Sequence, residues 1–302
     1  MMAQSSLHLA IDIRNRIATI GLYDHSRWLA IRRIGVHPGR TNDEYAYFLR
    51  TMMDTTKGPT MGTIIGTIMG TEHAEESNSK RSSLPLQTAW ISSVVPHATD
   101  AFIEAVRQEF GIEAGLIGPG VKTGLKIRTD TPGEVGADLV CAAVAAKQLC
   151  SVPCIIVDFG VAITLSALNG AGEFVGAAIA PGLEASVDAL KENAAQLPEV
   201  KLAFPMRAIG ASTADAIRSG VVLGAAGAVE SLISRFSIEL HSSSVPQPSG
   251  STNLQARSAS PTIVGTGDSL GKEILARLGH TTFEPNLVLD GIRIIASMNS
   301  HR

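Results

Sequence analysis

Leu9–Asp24, LAIDIRNRIATIGLYD, is the stretch on which the fold turns. An apolar run ends at Asp12, a polar turn carries Arg14, Asn15 and Arg16, and a second apolar run follows, which predicts two strands joined by a tight turn. The pattern returns at 156–168 as IVDFGVAITLSAL, an apolar strand ending in Asp158, a Gly-containing turn and another apolar strand. An acidic hairpin used twice predicts two similar α/β domains facing each other across a cleft. A strand-end aspartate alone has a plainer use, capping the turn that follows it.

The bulk composition fits that plan. The chain has 302 residues, enough for two domains. Hydrophobic residues make up 45% and charged residues 18%, as expected of a globular protein with a substantial core. Only 4% are aromatic, so the core is built from aliphatic side chains, as in sheets with buried parallel strands. A net charge of −3 gives no electrostatic case for nucleic acid or an anionic membrane as partner. Cys141, Cys150 and Cys154 lie in apolar surroundings and are expected to be buried thiols, since no His pair or fourth ligand accompanies them. No leader pattern and no apolar run of about 18 residues is evident, so a cytoplasmic protein is expected.

Further strands are predicted at Trp28–Val36, Thr88–Val95 and in PTIVGTGD (261–268), and an Asn-Gly turn joins two strands near 169–170. Helices are predicted over Asn42–Met53, capped by Thr41 or Asn42, over Thr99–Phe110, from about Pro132, over Leu183–Ala195 and Ala211–Ser237, and in PNLVLDGIRIIASMN (285–299). Polar or low-complexity tracts at 55–83 and 241–260 read as insertions. The expected domains are 1–130 and 131–302.

Residues 118–124, GPGVKTG, look like a P-loop but are not one, because Val121 separates Gly120 from Lys122. The loop could still bring backbone N–H groups to a small ligand, with Lys122, Lys126 and Arg128 nearby, or be a tight turn with solvated cations. Glu134 and Asp138, four apart, are expected on one face at the start of a helix. They either cap it or orient a substrate hydroxyl and take its proton in phosphoryl transfer. Asp12 and Asp158 would hold a cation or a metal-bound water beside nucleotide phosphates, if they do more than cap turns.

Seven segments together resemble the type III pantothenate kinases along nearly the whole chain, the two insertions excepted. They are ISSVVP (91–96), GPGVKTGLKIR (118–128), EVGAD (134–138), VDFG (157–160), GAAIAPGLEAS (176–186), IGASTADAIRSGVVLGAAG (209–227) and PNLVLDGIRII (285–295). The resemblance implies an actin-like, sugar-kinase-like duplicated two-domain ATPase fold with an interdomain cleft. It implies a cytoplasmic homodimer that phosphorylates pantothenate with ATP at the start of coenzyme A synthesis. Magnesium and a monovalent cation, potassium or ammonium, are the implied ions. By the same resemblance Asp138 is the proton acceptor, while Gly136, Ala137, Leu139, Thr129 and Thr213 line the pantothenate site, Thr213 from the other subunit. Asp158 binds the monovalent cation, and Asp12, Ile13, Arg14, Asn15, Arg16, Thr19 and Val161 occupy the phosphate-loop positions.

Several of these positions depart from the family. Its first loop reads Asp-x-Gly-Asn-Thr with a Lys soon after, where this chain has Arg14, Arg16 and Thr19. Leu139 replaces an Arg, Thr129 a Tyr, Val161 a Thr, and Asp268 a Gly in the last glycine loop. Each lost charge-assisted contact to phosphate is worth about 1–3 kcal/mol. Arg14 and Arg16 can replace those contacts or block the loop. The expected activity is therefore pantothenate phosphorylation, with two alternatives open: an impaired relative with a binding or regulatory role, or a kinase for another small hydroxy acid.

Overall fold

The computed structural model describes residues 7–24, 27–55, 86–193, 198–242 and 260–299. The expected insertions at 55–83 and 241–260 lie outside the described residues except at their edges. The chain divides into two compact units, Met1–Pro119 and Gly120–Arg302, whereas the sequence places the division between 130 and 131. Residues 120–130 go with the second unit through backbone bonds: Phe174 N–H donates to Lys126 O and Arg128 N–H to Phe174 O.

The first unit runs β1 (Leu7–Ile13), β2 (Ile17–Asp24), β3 (Arg27–Gly35), α1 (Asn42–Thr55), β4 (Leu86–Ser93), α2 (Pro96–Phe110) and β5 (Ala114–Leu116). Its sheet has the order β3-β2-β1-β4-β5; the first three strands form an antiparallel meander, and β4 lies parallel to β1. Alternation along β1 sends Leu9, Ile11 and Ile13 into one core with Tyr45, Leu49, Phe102 and Val106 of the two helices. Tyr45 and Phe102 stack there at 4.0 Å between ring centroids. A capping box starts α1: Thr41 Oγ1 accepts from Glu44 N–H, and Glu44 Oε2 accepts from Thr41 N–H at 2.9 Å. Helix α2 begins with Pro96 in its first turn, three residues before the sequence expectation, because proline suits a position whose N–H has no helical partner. Gly111, left-handed at φ 67°, ends it.

The second unit repeats the plan. Its elements are α3 (Ala137–Leu149), β6 (Cys154–Phe159), β7 (Ala162–Leu168), β8 (Phe174–Pro181), α4 (Leu183–Asn193), α5 (Thr213–Ser242), β9 (Thr262–Gly267), α6 (Ser269–Arg277) and α7 (Leu287–Asn299). The sheet order is β8-β7-β6-β9, again an antiparallel meander with a parallel strand beside the first. Ile155, Val157, Phe159 and Leu165 face a core completed by Val222, Val229, Ile233, Ile274 and Leu275. Helices α3 and α7 cross so closely that a Cβ on Gly291 would lie 1.9 Å from the Cys141 carbonyl oxygen.

The structure changes two sequence expectations and adds a property of α5. The helix expected from Pro132 is a 3₁₀ turn, Pro132–Glu134, followed by extended Val135; α3 starts only after Gly136. Glu134 and Asp138 therefore do not share a helix face. Helix α6 was not expected; Asp268 caps it by accepting the Gly271 N–H at 2.6 Å. And the 30-residue α5 holds an 18-residue window of mean hydropathy 1.5, long and apolar enough by composition to cross a membrane, although Asp, Arg, Ser and Gly interrupt any continuous apolar run.

Candidate active site

Strand pairing builds the same group of side chains twice. Asp12, the next-to-last residue of β1, stands opposite Thr19 of β2 and beside Ser92 of β4. Asp158, the next-to-last residue of β6, stands opposite Thr164 of β7 and beside Thr266 of β9. Both aspartates are 4% exposed. In each unit, then, a buried carboxylate is flanked by a hydroxyl residue on its antiparallel neighbour and another on its parallel neighbour. Hard oxygen groups so placed suit cations and phosphate-bound ions. Ser92 escaped the sequence analysis as a site residue; its hydroxyl is fully buried and has no hydrogen-bond partner among the described residues. Only the pairing register brings it beside Asp12.

The two turns differ. Three residues, Arg14, Asn15 and Arg16, separate β1 from β2, closed by Arg14 N–H donating to Ile17 O at 3.1 Å. No non-glycine residue among those described has a positive φ, so Arg14 is accommodated without backbone strain where the family has glycine. Its side chain turns onto Asp12, Nε donating to Oδ2 at 2.8 Å. Asn15 and Arg16 are exposed, Thr19 is half-buried, and Ile13 is buried in the core.

Two residues, Gly160 and Val161, separate β6 from β7. Two glycines press on this turn. A Cβ on Gly182 would lie 2.3 Å from the carbonyl oxygens of Gly160 and Val161, and one on Gly267 would lie 2.1 Å from Phe159 O. Gly267 also needs its φ of +106°. Backbone bonds lock the arrangement: Gly182 N–H donates to Val161 O at 3.0 Å, and Asp268 N–H to Phe159 O at 3.1 Å. Although Asp268 remains exposed by area, shielding of its carboxyl from water raises its pKa, the Gly271 N–H opposes this, and the negative charges of Glu184 and Asp158 add to the rise. The Asp268 carboxyl thus lies within electrostatic reach of both Glu184 and Asp158.

Asp138 sits in the first turn of α3, half-buried, with Oδ1 accepting from Leu139 N–H at 2.9 Å. Gly136, the N-cap, offers no side chain to cap this helix start; Asp138 instead takes the Leu139 N–H, where the helix dipole favours its negative charge. Thr129 Oγ1 is buried and has no hydrogen-bond partner among the described residues. Thr213 opens α5 exposed, beside the Ser212 hydroxyl that caps the helix through Asp215 N–H at 3.2 Å.

Beyond the glycine loop, Lys126 and Arg128 are exposed and both pair with Glu173: Lys126 Nζ lies 3.0 Å and Arg128 Nε 3.3 Å from its carboxylate. These bonds, with one from Asn169, hold the Glu173 pKa down at about 2. Of the thiols, Cys141 and Cys154 are buried and Cys150 half-buried, and none of the three is in a disulfide.

A duplicated unit of three antiparallel strands plus a parallel fourth, each with a strand-end aspartate at its first hairpin, defines the actin-like, sugar-kinase-like ATPase class. Within that class the chain belongs to the type III pantothenate kinase family, whose profile matches residues 8–235. A type III pantothenate kinase of Dehalococcoides mccartyi is 34% identical over 294 residues, covering 96% of this chain and 95% of the relative. One of Streptomyces coelicolor is 34% identical over 295 residues, covering 97% and 99%. Among solved structures, a conserved Campylobacter jejuni protein assigned to the Baf family of transcriptional activators superposes with a TM-score of 0.51 at 14% identity, covering 97% of this chain and all of that one. That likeness concerns the fold alone.

Proposed function

We propose that this chain transfers the γ-phosphoryl group of ATP to the primary hydroxyl of pantothenate, the entry step of coenzyme A synthesis. The observation that carries this is the repeated construction of buried aspartate and flanking hydroxyls at both hairpins, in a chain a third identical to named pantothenate kinases over nearly its full length. ATP, when bound, supplies the phosphoryl group. Asp138 orients the pantothenate hydroxyl and takes its proton as the phosphoryl group leaves ADP. Gly136, Ala137, Leu139 and Thr129 surround the acceptor, and the unpartnered Thr129 hydroxyl is a ready donor or acceptor for it.

Asp12, Ile13, Arg14, Asn15, Arg16 and Thr19 form the first phosphate loop, and Val161 belongs to the second. Asp158 fits a monovalent cation, potassium or ammonium: it is a buried carboxylate beside Thr164 and Thr266 on the neighbouring strands. Magnesium is assigned to the ATP phosphates, where a kinase site meets it with one or two carboxylates.

A homodimer is supported by α5, whose most apolar window is 22% buried, and by the exposed Met206, Ile209 and Ile238. In that dimer Thr213, exposed at the start of α5, reaches the partner's pantothenate. We place the protein in the cytoplasm, with α5 covered by a second copy and neither membrane nor nucleic acid as partner. Light scattering and membrane fractionation separate these outcomes: a soluble particle of twice the chain mass supports the dimer, and recovery in the membrane fraction overturns it.

The kinase test is ADP release with ATP, magnesium, potassium and pantothenate. Asp138→Asn is expected to lower turnover about 10²–10⁴-fold with the fold retained. Turnover of the unaltered protein no higher than that of the variant would refute the proposal, and turnover of another hydroxy acid in place of pantothenate would replace the acceptor.

A further inference from the structure

We propose that Arg14 is a fixed counter-cation for Asp12, so that the first hairpin holds no divalent ion of its own and meets one only as part of the nucleotide. Asp12 is 4% exposed, and a carboxylate so buried needs a positive partner. The partner is built into the chain. Arg14 Nε donates to Asp12 Oδ2 at 2.8 Å, with side-chain exposures of 24% and 6%. Residues two apart on a strand could also share a face, but here β1 ends at Ile13, and the turn folds the guanidinium back over the strand end.

A divalent ion on the same oxygen would sit about 2.0–2.6 Å from it, within a few ångströms of the guanidinium carbon, and two cations so close repel. Asp12 therefore does not fit the role of metal ligand while Arg14 is present. The second hairpin makes the contrast within one molecule. The residue two positions after Asp158 is Gly160, which carries no side chain. The first turn thus supplies a guanidinium from within the chain, and the second turn has no side chain at the matching position.

This inference deepens the proposed kinase function, but its test uses neither pantothenate nor nucleotide, so failure of one does not imply failure of the other. Mn²⁺ binding to the nucleotide-free protein is titrated by electron paramagnetic resonance, with folding checked by circular dichroism. Four proteins are compared: the unaltered chain, Arg14→Gly, Arg14→Gln and Arg14→Gly/Asp12→Asn. The expected result is one added Mn²⁺ site in both single variants, at least tenfold tighter than any site of the unaltered chain, and lost again in the double variant. Gln keeps a side chain on the turn, so a gain there does not depend on glycine's backbone freedom. The inference is overturned if the unaltered protein binds Mn²⁺ as tightly as the Arg14 variants, if neither single variant gains a site, or if the gained site survives Asp12→Asn.

Discussion

Arg14 Nε lies 2.8 Å from Asp12 Oδ2, at the end of the strand where the family places a glycine turn. The substitution that looks most hostile to a phosphate loop is absorbed without backbone strain and becomes half of an ion pair. Asp12 is buried and Arg14 a quarter exposed, so the pair ranks between a surface bridge, worth about 0–1 kcal/mol, and a buried one, whose breakage costs about 3–5 kcal/mol. A double-mutant cycle of Asp12→Asn and Arg14→Gln, followed by urea unfolding, is expected to give a coupling of about 1–3 kcal/mol. Additive single effects would show that the pair does not stabilise the hairpin.

Gly267 holds the second hairpin in place. With φ at +106° and the Phe159 carbonyl oxygen 2.1 Å from where a Cβ would stand, Gly267→Ala must move backbone next to Asp158. Overpacking of this kind costs about 1–3 kcal/mol, with further loss from the strained φ. Gly118→Ala is the control, because nothing lies within 4 Å of a Cβ there. Thermal unfolding should separate the two by several degrees, and equal melting temperatures would contradict the packing described.

Glu173 gives a pH signature. Its carboxyl is held at about 2, first by Lys126, then by Arg128 and Asn169, against an ordinary value of 4.5. A depressed carboxylate pKa means the folded state binds the proton less readily than the unfolded chain. The stabilisation is thus complete above about pH 4.5 and disappears as the pH falls towards 2. Relative to Glu173→Gln, the unaltered protein should melt higher at pH 6–7, with the gap closing through that acid window. A gap that stays constant down to pH 2 would mean that the clamp does not form in solution.

Phe102 is fully buried and stacked on Tyr45 at the centre of the first unit's core. Phe102→Ala is expected to cost about 3–5 kcal/mol in chemical denaturation, a large part of a typical domain's stability. A loss below about 1 kcal/mol would show that the two helices are not packed on the sheet as described.

Much of the fold was legible because its signals are local. Apolar runs marked β1, β2, β6 and β7, and a cap at Thr41 or Asn42 marked the start of α1. Helix α6 was missed because nine residues give only about two and a half turns of periodicity, although Asp268 before Ser269 was a usable cap signal. The start of α3 was misplaced because Pro132 begins a 3₁₀ turn as readily as an α-helix, and the extended Val135 breaks the run before Gly136.

By itself the sequence determined the duplicated acidic hairpins, the order of the α/β elements and, through its motifs, the family. These depend on hydrophobic period and on residue types at fixed spacing, which the linear chain carries in full. Only the tertiary structure decided what surrounds each aspartate. Ser92 lies 80 residues from Asp12 and Thr266 lies 108 from Asp158, and strand register alone makes them neighbours. It also placed Arg14 on Asp12, and Lys126 and Arg128 on Glu173. Charges meet where the backbone brings them, and a sequence specifies the charges long before it reveals the meeting.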